Sequence, residues 1–282
     1  MTTSSSASGR ATGSVASTND LFTIGAMAIV AYLISAFTHE ALGHGLASLI
    51  VNAPIKHVTS LDLVSDLSHL TPWGARFVDA AGCAAQFIVA GVVYVIYRHT
   101  PSASGNWRYF LWLLYLINVL IPAGYLLVLS FASFGDWNDF VQGLRPELFW
   151  RVVLTIIGAS ITLAAIFIGA RQLDEFLGQD VNERFGRAMQ LVLTSYLVGS
   201  TANTLAGIFN PDGAILVLIS AAAATFGGTI CLFWTGFVAG RLPPRADTPI
   251  LPRVVTRQAG WLIAGAVALV IYFAVLGPGI PR

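Results

Sequence analysis

Charge is what this sequence has least of. Of its 282 residues, 10% are Asp, Glu, Lys or Arg, against about a quarter in soluble domains. Lys56 is the only lysine, the other basic residues are arginines, and the formal net charge is +1. Gripping a nucleic acid electrostatically takes a basic face, and no basic cluster appears, so no nucleic-acid partner is expected. Cysteine is equally scarce. Cys83 and Cys231 both fall inside apolar segments, where they read as small hydrophobes and not as a disulfide or a thiolate metal site. Residues 1–19 lack the apolar run of a signal peptide. Rich in Ser, Thr, Ala and Gly, with Arg10 as their one charge, they are expected to form a disordered tail.

Apolar residues take the place of the missing charge. They make up 56% of the chain, and the mean hydropathy is +0.74. A helix needs about 20 apolar residues to span a bilayer. Residues 20–282 therefore read as one membrane domain, an all-α polytopic bundle of six or seven transmembrane helices. The candidate spans are Leu21–Val51, Phe77–Tyr97, Trp107–Ala132, Phe149–Ala170, Ala188–Phe209, Ala214–Ala239 and Trp261–Leu276. Asn210-Pro211-Asp212-Gly213 separates the fifth from the sixth, a turn signal between antiparallel helices. Pro122 falls inside the third and should kink it or mark an irregular stretch. With seven spans and a cytoplasmic N-terminus, ten arginines fall on the inner side. Lys56, Arg76, Arg145, Arg151 and Arg282 fall outside, a positive-inside bias. The connection Pro54–Gly74 alternates over Ile55–Leu63, which predicts a short extended segment or hairpin after the first span.

The residues that carry chemistry are Thr38-His39-Glu40-Ala41-Leu42-Gly43-His44-Gly45. Ionisable groups inside a membrane helix are costly and need partners or a water-filled cavity. Two imidazoles beside a carboxylate fit metal ligation, with the carboxylate free to act as general base. The spacing is i,i+5, however. On a regular helix such positions diverge by about 140° and rise about 7.5 Å, which suits a shared ion poorly. A π-bulge makes five residues about one turn and would restore convergence. Without it, Glu40 and His44 are the i,i+4 pair and could be the ligands, with His39 pointing elsewhere.

This stretch resembles the signature of the site-2 protease family, the intramembrane zinc metalloproteases. Their helix carries His-Glu-x-x-His, and an Asp from a later helix is the third ligand. Ala80–Phe87 is similar to the small-residue helix start that follows the family's β-hairpin. Asn118-Val119-Leu120-Ile121-Pro122 and Gly135-Asp136-Trp137 look like its Asn-x-x-Pro and Asp-Gly elements in divergent form. The resemblance covers roughly residues 30–140, a metalloprotease-like core, and leaves 141–282 as additional transmembrane helices. It implies Zn²⁺ held by His39, His44 and Asp136, with Glu40 catalytic and a membrane-embedded protein as substrate. The inferred topology puts Asp136 and both histidines in the same outer half of the bilayer. Asp212 is the rival third ligand. Gln86 and Asp79 could contact the site from the second span, and His57 and His69 could supplement it. The alternative is a non-proteolytic membrane protein, whether pseudoprotease, assembly subunit or transporter, that keeps a polar or metal site.

Overall fold

The computed structural model describes residues 18–59, 62–101, 103–132, 135–209 and 222–281. The expected tail up to residue 17, the Asn210–Gly213 turn and Asp212 lie outside the described residues. Helix α1 runs Leu21–Ile50, and the carboxylate of Asp20 caps it by accepting from the N–H groups of Phe22 and Thr23. α2 runs Pro72–His99. Its start combines proline in the first turn, where no N–H is missed, with a Thr71 hydroxyl accepting from the N–H of Gly74 at 3.2 Å. α3 is Gly105–Leu129, α4 is Asp136–Val141, α5 is Glu147–Gln172 and α6 is Asp174–Leu177. α7 (Val181–Ala206), α8 (Gly228–Arg241) and α9 (Ala259–Leu276) follow.

α3 is the centre. Every residue from Tyr109 to Asn118 is buried, and a helix apolar on all sides belongs in an interior. α1, α2, α5 and α8 pack around it, α7 packs against α1 and α8, and α9 lies on α1. The outer faces stay apolar: Ile88, Val92 and Val95 on α2, Ile156, Leu163 and Phe167 on α5, and Ile263, Val267 and Val270 on α9 are all exposed. A water-facing monomer rarely shows such continuous apolar surface, whereas hydrocarbon accepts it at no cost.

Five helices among the described residues are long and apolar enough to cross a membrane: α1, α2, α3, α5 and α9. The chain is a multi-pass helical membrane protein, but the expected count of six or seven spans is not reached on that measure. The expected fifth span coincides with α7, which carries Ser195, Ser200, Asn203 and Thr204 buried along its length. That polarity faces inward. Ser195 Oγ lies 2.7 Å from the Tyr109 hydroxyl, Ser200 and Thr229 meet Tyr32, and Thr204 Oγ1 is 2.9 Å from Thr225 Oγ1. The described part of the expected sixth span is α8 and the π turn Ala223–Gly227 before it.

Polar contacts gather at two ends. At one, Arg257 pairs with Asp20, Arg108 and Arg253 with Glu175, and Arg171, Arg184 and Arg245 with Asp174. At the other stand Lys56–Asp66 and Arg151–Glu147. The hairpin anticipated after the first span is present as β1 (Ile55–Val58) and β2 (Leu63–Ser65), with a bulge at Lys56. Ser48 Oγ and Ser65 Oγ, 2.8 Å apart, tie it to the end of α1. A third strand, β3 (Ile280–Pro281), pairs antiparallel with β1, giving the order β2-β1-β3. The sequence reading did not anticipate it.

Candidate metal centre

Residues Thr38–Gly45 of α1 wind as a π-helix, the local widening that the i,i+5 spacing requires. The hydroxyl of Thr38 donates back to the carbonyl of Ile34 at 2.7 Å, a contact that loosens and bends helices. After the turn, the Leu46 N–H reaches the carbonyl of Ala41, five residues back. The two imidazoles then face one another, with Nε2 of His39 3.1 Å from Nε2 of His44. The turn thus pairs His39 with His44.

Asp136 arrives from the end of α3. Pro122 lacks the N–H that would reach Asn118, and α3 closes in a second π turn, Tyr125–Leu129. Gly135 then takes φ of +88°, a left-handed turn suited to glycine, and aims Asp136 at the histidines. Its Oδ2 lies 3.1 Å from His39 Nε2 and 3.5 Å from His44 Nε2. Two arginines anchor α4. Arg76 of α2 donates to the carbonyls of Phe140 and Gln142 at 2.8 Å each, and Arg151 of α5 donates to Asn138 Oδ1 at 3.1 Å and to the carbonyl of Ser130. Trp137 packs with Cys83 and Leu126 beneath.

The partners behind the rings decide what the ring nitrogens offer. Gln86 gives its amide N–H to Ser35 Oγ at 2.9 Å, so its carbonyl faces His39 Nδ1 at 3.1 Å. The carbonyl of Val78 faces His44 Nδ1 at 2.8 Å. These acceptors favour a proton on both Nδ1 atoms, and in the neutral rings both Nε2 lone pairs then point at Asp136 Oδ2, which is buried without a hydrogen bond. Three such acceptors facing one another repel unless a proton or a metal ion sits among them. Sides of 3.1, 3.1 and 3.5 Å put the in-plane centre about 1.9 Å from each atom, and a position about 0.9 Å to either side of that plane stands about 2.1 Å from all three, the usual Zn–N and Zn–O bond length. The residues fit a metal ion, and the Nδ1 partners are the orienting contacts that metal-binding histidines require.

Glycine makes the space. A Cβ on Gly82 of α2 would stand 2.6 Å from His39 Cε1 and from His44 Nε2. Gly43 of the π turn meets the backbone of Gly82 so closely that neither position has room for a side chain. Cys83, read from sequence as a small hydrophobe, is fully buried and packs with Leu126 and Trp137; its Sγ, a ring nitrogen of His39 and a carboxylate oxygen of Asp136 also lie within 4.8 Å of one another. Tyr125 stands edge-on to His39 at 5.5 Å. Glu40 follows His39 on the π turn, half-buried.

No protein-family profile, curated protein or solved structure matches this chain.

Function must then be argued from the centre itself. Of the residues singled out in sequence, His39, His44 and Asp136 come together, with Gln86 behind them. His57 on β1 and the exposed His69 do not join the ligating group found among the described residues. The sequence offered no role at this site for Val78, Gly82, Arg76 or Arg151. A backbone carbonyl and an absent side chain leave no mark in a sequence, although a glycine on a helix opposite a ligand-bearing turn is a usable sign of close approach.

Proposed function

We propose that the chain is a zinc-dependent intramembrane protease that hydrolyses peptide bonds of membrane-embedded proteins. The observation that carries this reading is the convergence of three ligand-type atoms, His39 Nε2, His44 Nε2 and Asp136 Oδ2, at 3.1–3.5 Å with both Nδ1 atoms committed elsewhere. Three protein ligands with an open fourth position are the catalytic pattern, whereas four closed ligands are the structural one. Zinc held there would polarise a substrate carbonyl and activate water. The carboxylate of Glu40 takes a proton from the attacking water and returns it to the leaving amine. Gln86 and the Val78 carbonyl hold the two rings so that Nε2 faces inward. Helices α1, α2 and α3 exclude bulk water around these groups.

The termini support the topology. α1 begins at the end that holds Asp20 and Arg257, while β3 sits at the other end beside β1. Opposite ends are what an odd number of crossings gives. Seven results when α7 and α8 each cross, with the N-terminus cytoplasmic and the metal centre in the outer half of the bilayer.

Cys83 favours a second reading, since its thiolate as a fourth ligand would close the site and make it a structural element of a non-proteolytic protein. Purified protein should hold about one zinc per chain, and His39→Ala, His44→Ala or Asp136→Ala should each remove most of it. Asp212→Ala should remove none. Glu40→Gln should keep the zinc and lose hydrolysis of a transmembrane substrate. Zinc absent from the unchanged chain ends the proposal. Sulfur-to-metal charge transfer in the cobalt-substituted protein, lost in Cys83→Ser, would favour the structural reading.

A further inference from the structure

β2 lies against the π turn of α1, since Leu63 at its start packs against Gly45, and β1 is the next strand of the sheet. An extended polypeptide can add to a sheet only where an edge offers unpaired N–H and C=O groups. The second edge of β1 is filled from within the chain: His57 pairs with Pro281 and Val58 with Ile280. This contact is built to be weak. It spans two residue pairs, one of them a proline with no N–H to give, and Ile280 is 43% exposed. The segment that leads to it is equally lightly held. α9 is the least embedded of the five apolar helices, with 22% of its apolar window buried against 72% for α3. Its last turns unwind into a π-helix over Ile271–Leu276. Gly277-Pro278-Gly279 follows, with Gly279 at φ of +80°, a short breaker between helix and strand.

We infer that β3 is an occupant in cis of the edge at which an extended substrate segment pairs, and that it must leave β1 before such a segment can bind. The identity of the incoming strand rests on the protease reading, whereas the occupancy of the edge does not. A strand tethered by a short linker competes at an effective concentration of about millimolar. With a dissociation constant of roughly 10–100 μM for the tethered strand, that concentration should suppress pairing in trans about 10- to 100-fold.

Two thiol-trapping measurements in detergent-solubilised full-length protein test this, and neither needs hydrolysis. In the first, Val58→Cys combined with Ile280→Cys is oxidised with diamide. Directly paired residues lie about 4.5–5.5 Å apart at Cα, within disulfide reach, so an intramolecular bond should form. Its absence overturns the pairing. In the second, a biotinylated peptide of residues 274–282 carrying Ile280→Cys is offered to Val58→Cys protein, with the unsubstituted chain as blank. Protein ending at Gly277 should label roughly 10- to 100-fold more than the full chain. The full-length variant Ile280→Pro, which loses the strand N–H without shortening the chain, should label likewise. Equal labelling of full and shortened chains shows that β3 does not block the edge, and no labelling of either shows that the edge takes no strand. Either result overturns the inference, while the zinc content of the same samples reports separately on the metal reading.

Discussion

Replacing Gly82 with alanine adds one methyl group at the most confined point of the metal centre. That carbon would stand 2.6 Å from His39 Cε1, 2.6 Å from His44 Nε2 and 2.7 Å from His39 Nε2. Ordinary carbon contacts need roughly 3.5 Å or more, so either α2 or both rings must retreat by almost an ångström. The rings have no free direction, because Gln86 and the Val78 carbonyl hold their far nitrogens at 3.1 and 2.8 Å. Retreat of α2 is no easier, since both of those holding groups ride on α2 and would move with it. Overpacking of this kind costs about 1–3 kcal/mol of stability. The effect on the metal should be larger than the effect on the fold. Disturbing the orienting contacts alone lowers metal affinity about 10- to 100-fold, and here both rings are displaced together, so the loss should reach the upper end. Gly91→Ala on the same helix is the control, because its added carbon meets nothing within 4 Å. It should leave zinc untouched and raise helix stability by about 0.5–1 kcal/mol. Zinc per chain after dialysis against a graded chelator series, with thermal unfolding of the same samples, separates the two effects. Undiminished zinc affinity in Gly82→Ala, or an equal loss in Gly91→Ala, would refute the argument that backbone proximity shapes the site.

Gln86→Leu should weaken zinc about 10- to 100-fold by freeing His39 Nδ1, whereas Gln86→Glu keeps an acceptor there and should restore most of it in the same chelator assay. Arg76→Ala removes two charge-assisted bonds to the carbonyls that end α4, so zinc should dissociate faster. Arg76→Lys should rescue only partly, because a single ammonium cannot reproduce the fork, and stopped-flow chelation measures both. Arg257 beside Asp20 holds that carboxyl below its ordinary range, helped by the N–H groups of Thr23 and Phe22. A depressed carboxylate lends stability above its unfolded value of about 3.9 and loses it as pH falls through the folded one. Asp20→Asn should therefore lower the melting temperature at pH 7 and converge with the unchanged chain once the pH falls below the depressed value of that carboxyl. A difference that is independent of pH would rule this out.

The membrane class and the widened turn at Thr38–Gly45 were legible because both are local. Long apolar runs announce helices, and two histidines five apart can face one another only on a wider turn. Asp136 was reachable through its place after the third apolar run. The supports of the site were not legible, because each acts across a gap in the chain: Arg76 reaches Gln142, and Val58 meets Ile280. A two-residue strand has no periodicity to detect. α7 misleads in the other direction. Its serines and threonines look too wet for a bilayer until Tyr32, Tyr109, Thr225 and Thr229 are seen to receive them.

The π turn has a consequence for what the chain tolerates. In a membrane helix, losing one residue normally swings everything beyond it by about 100°, turning buried faces toward lipid. Here the widened turn already holds one residue more than an α-turn would. Shedding Leu42, a lipid-facing side chain, lets the segment close into an ordinary helix while Ser35 and Ser48 keep their directions. The ligands stay one turn apart in either form. Separation between the two histidines on such a helix is counted in turns, so deletion of one residue at this one place is near-silent, while the same edit a turn away is not.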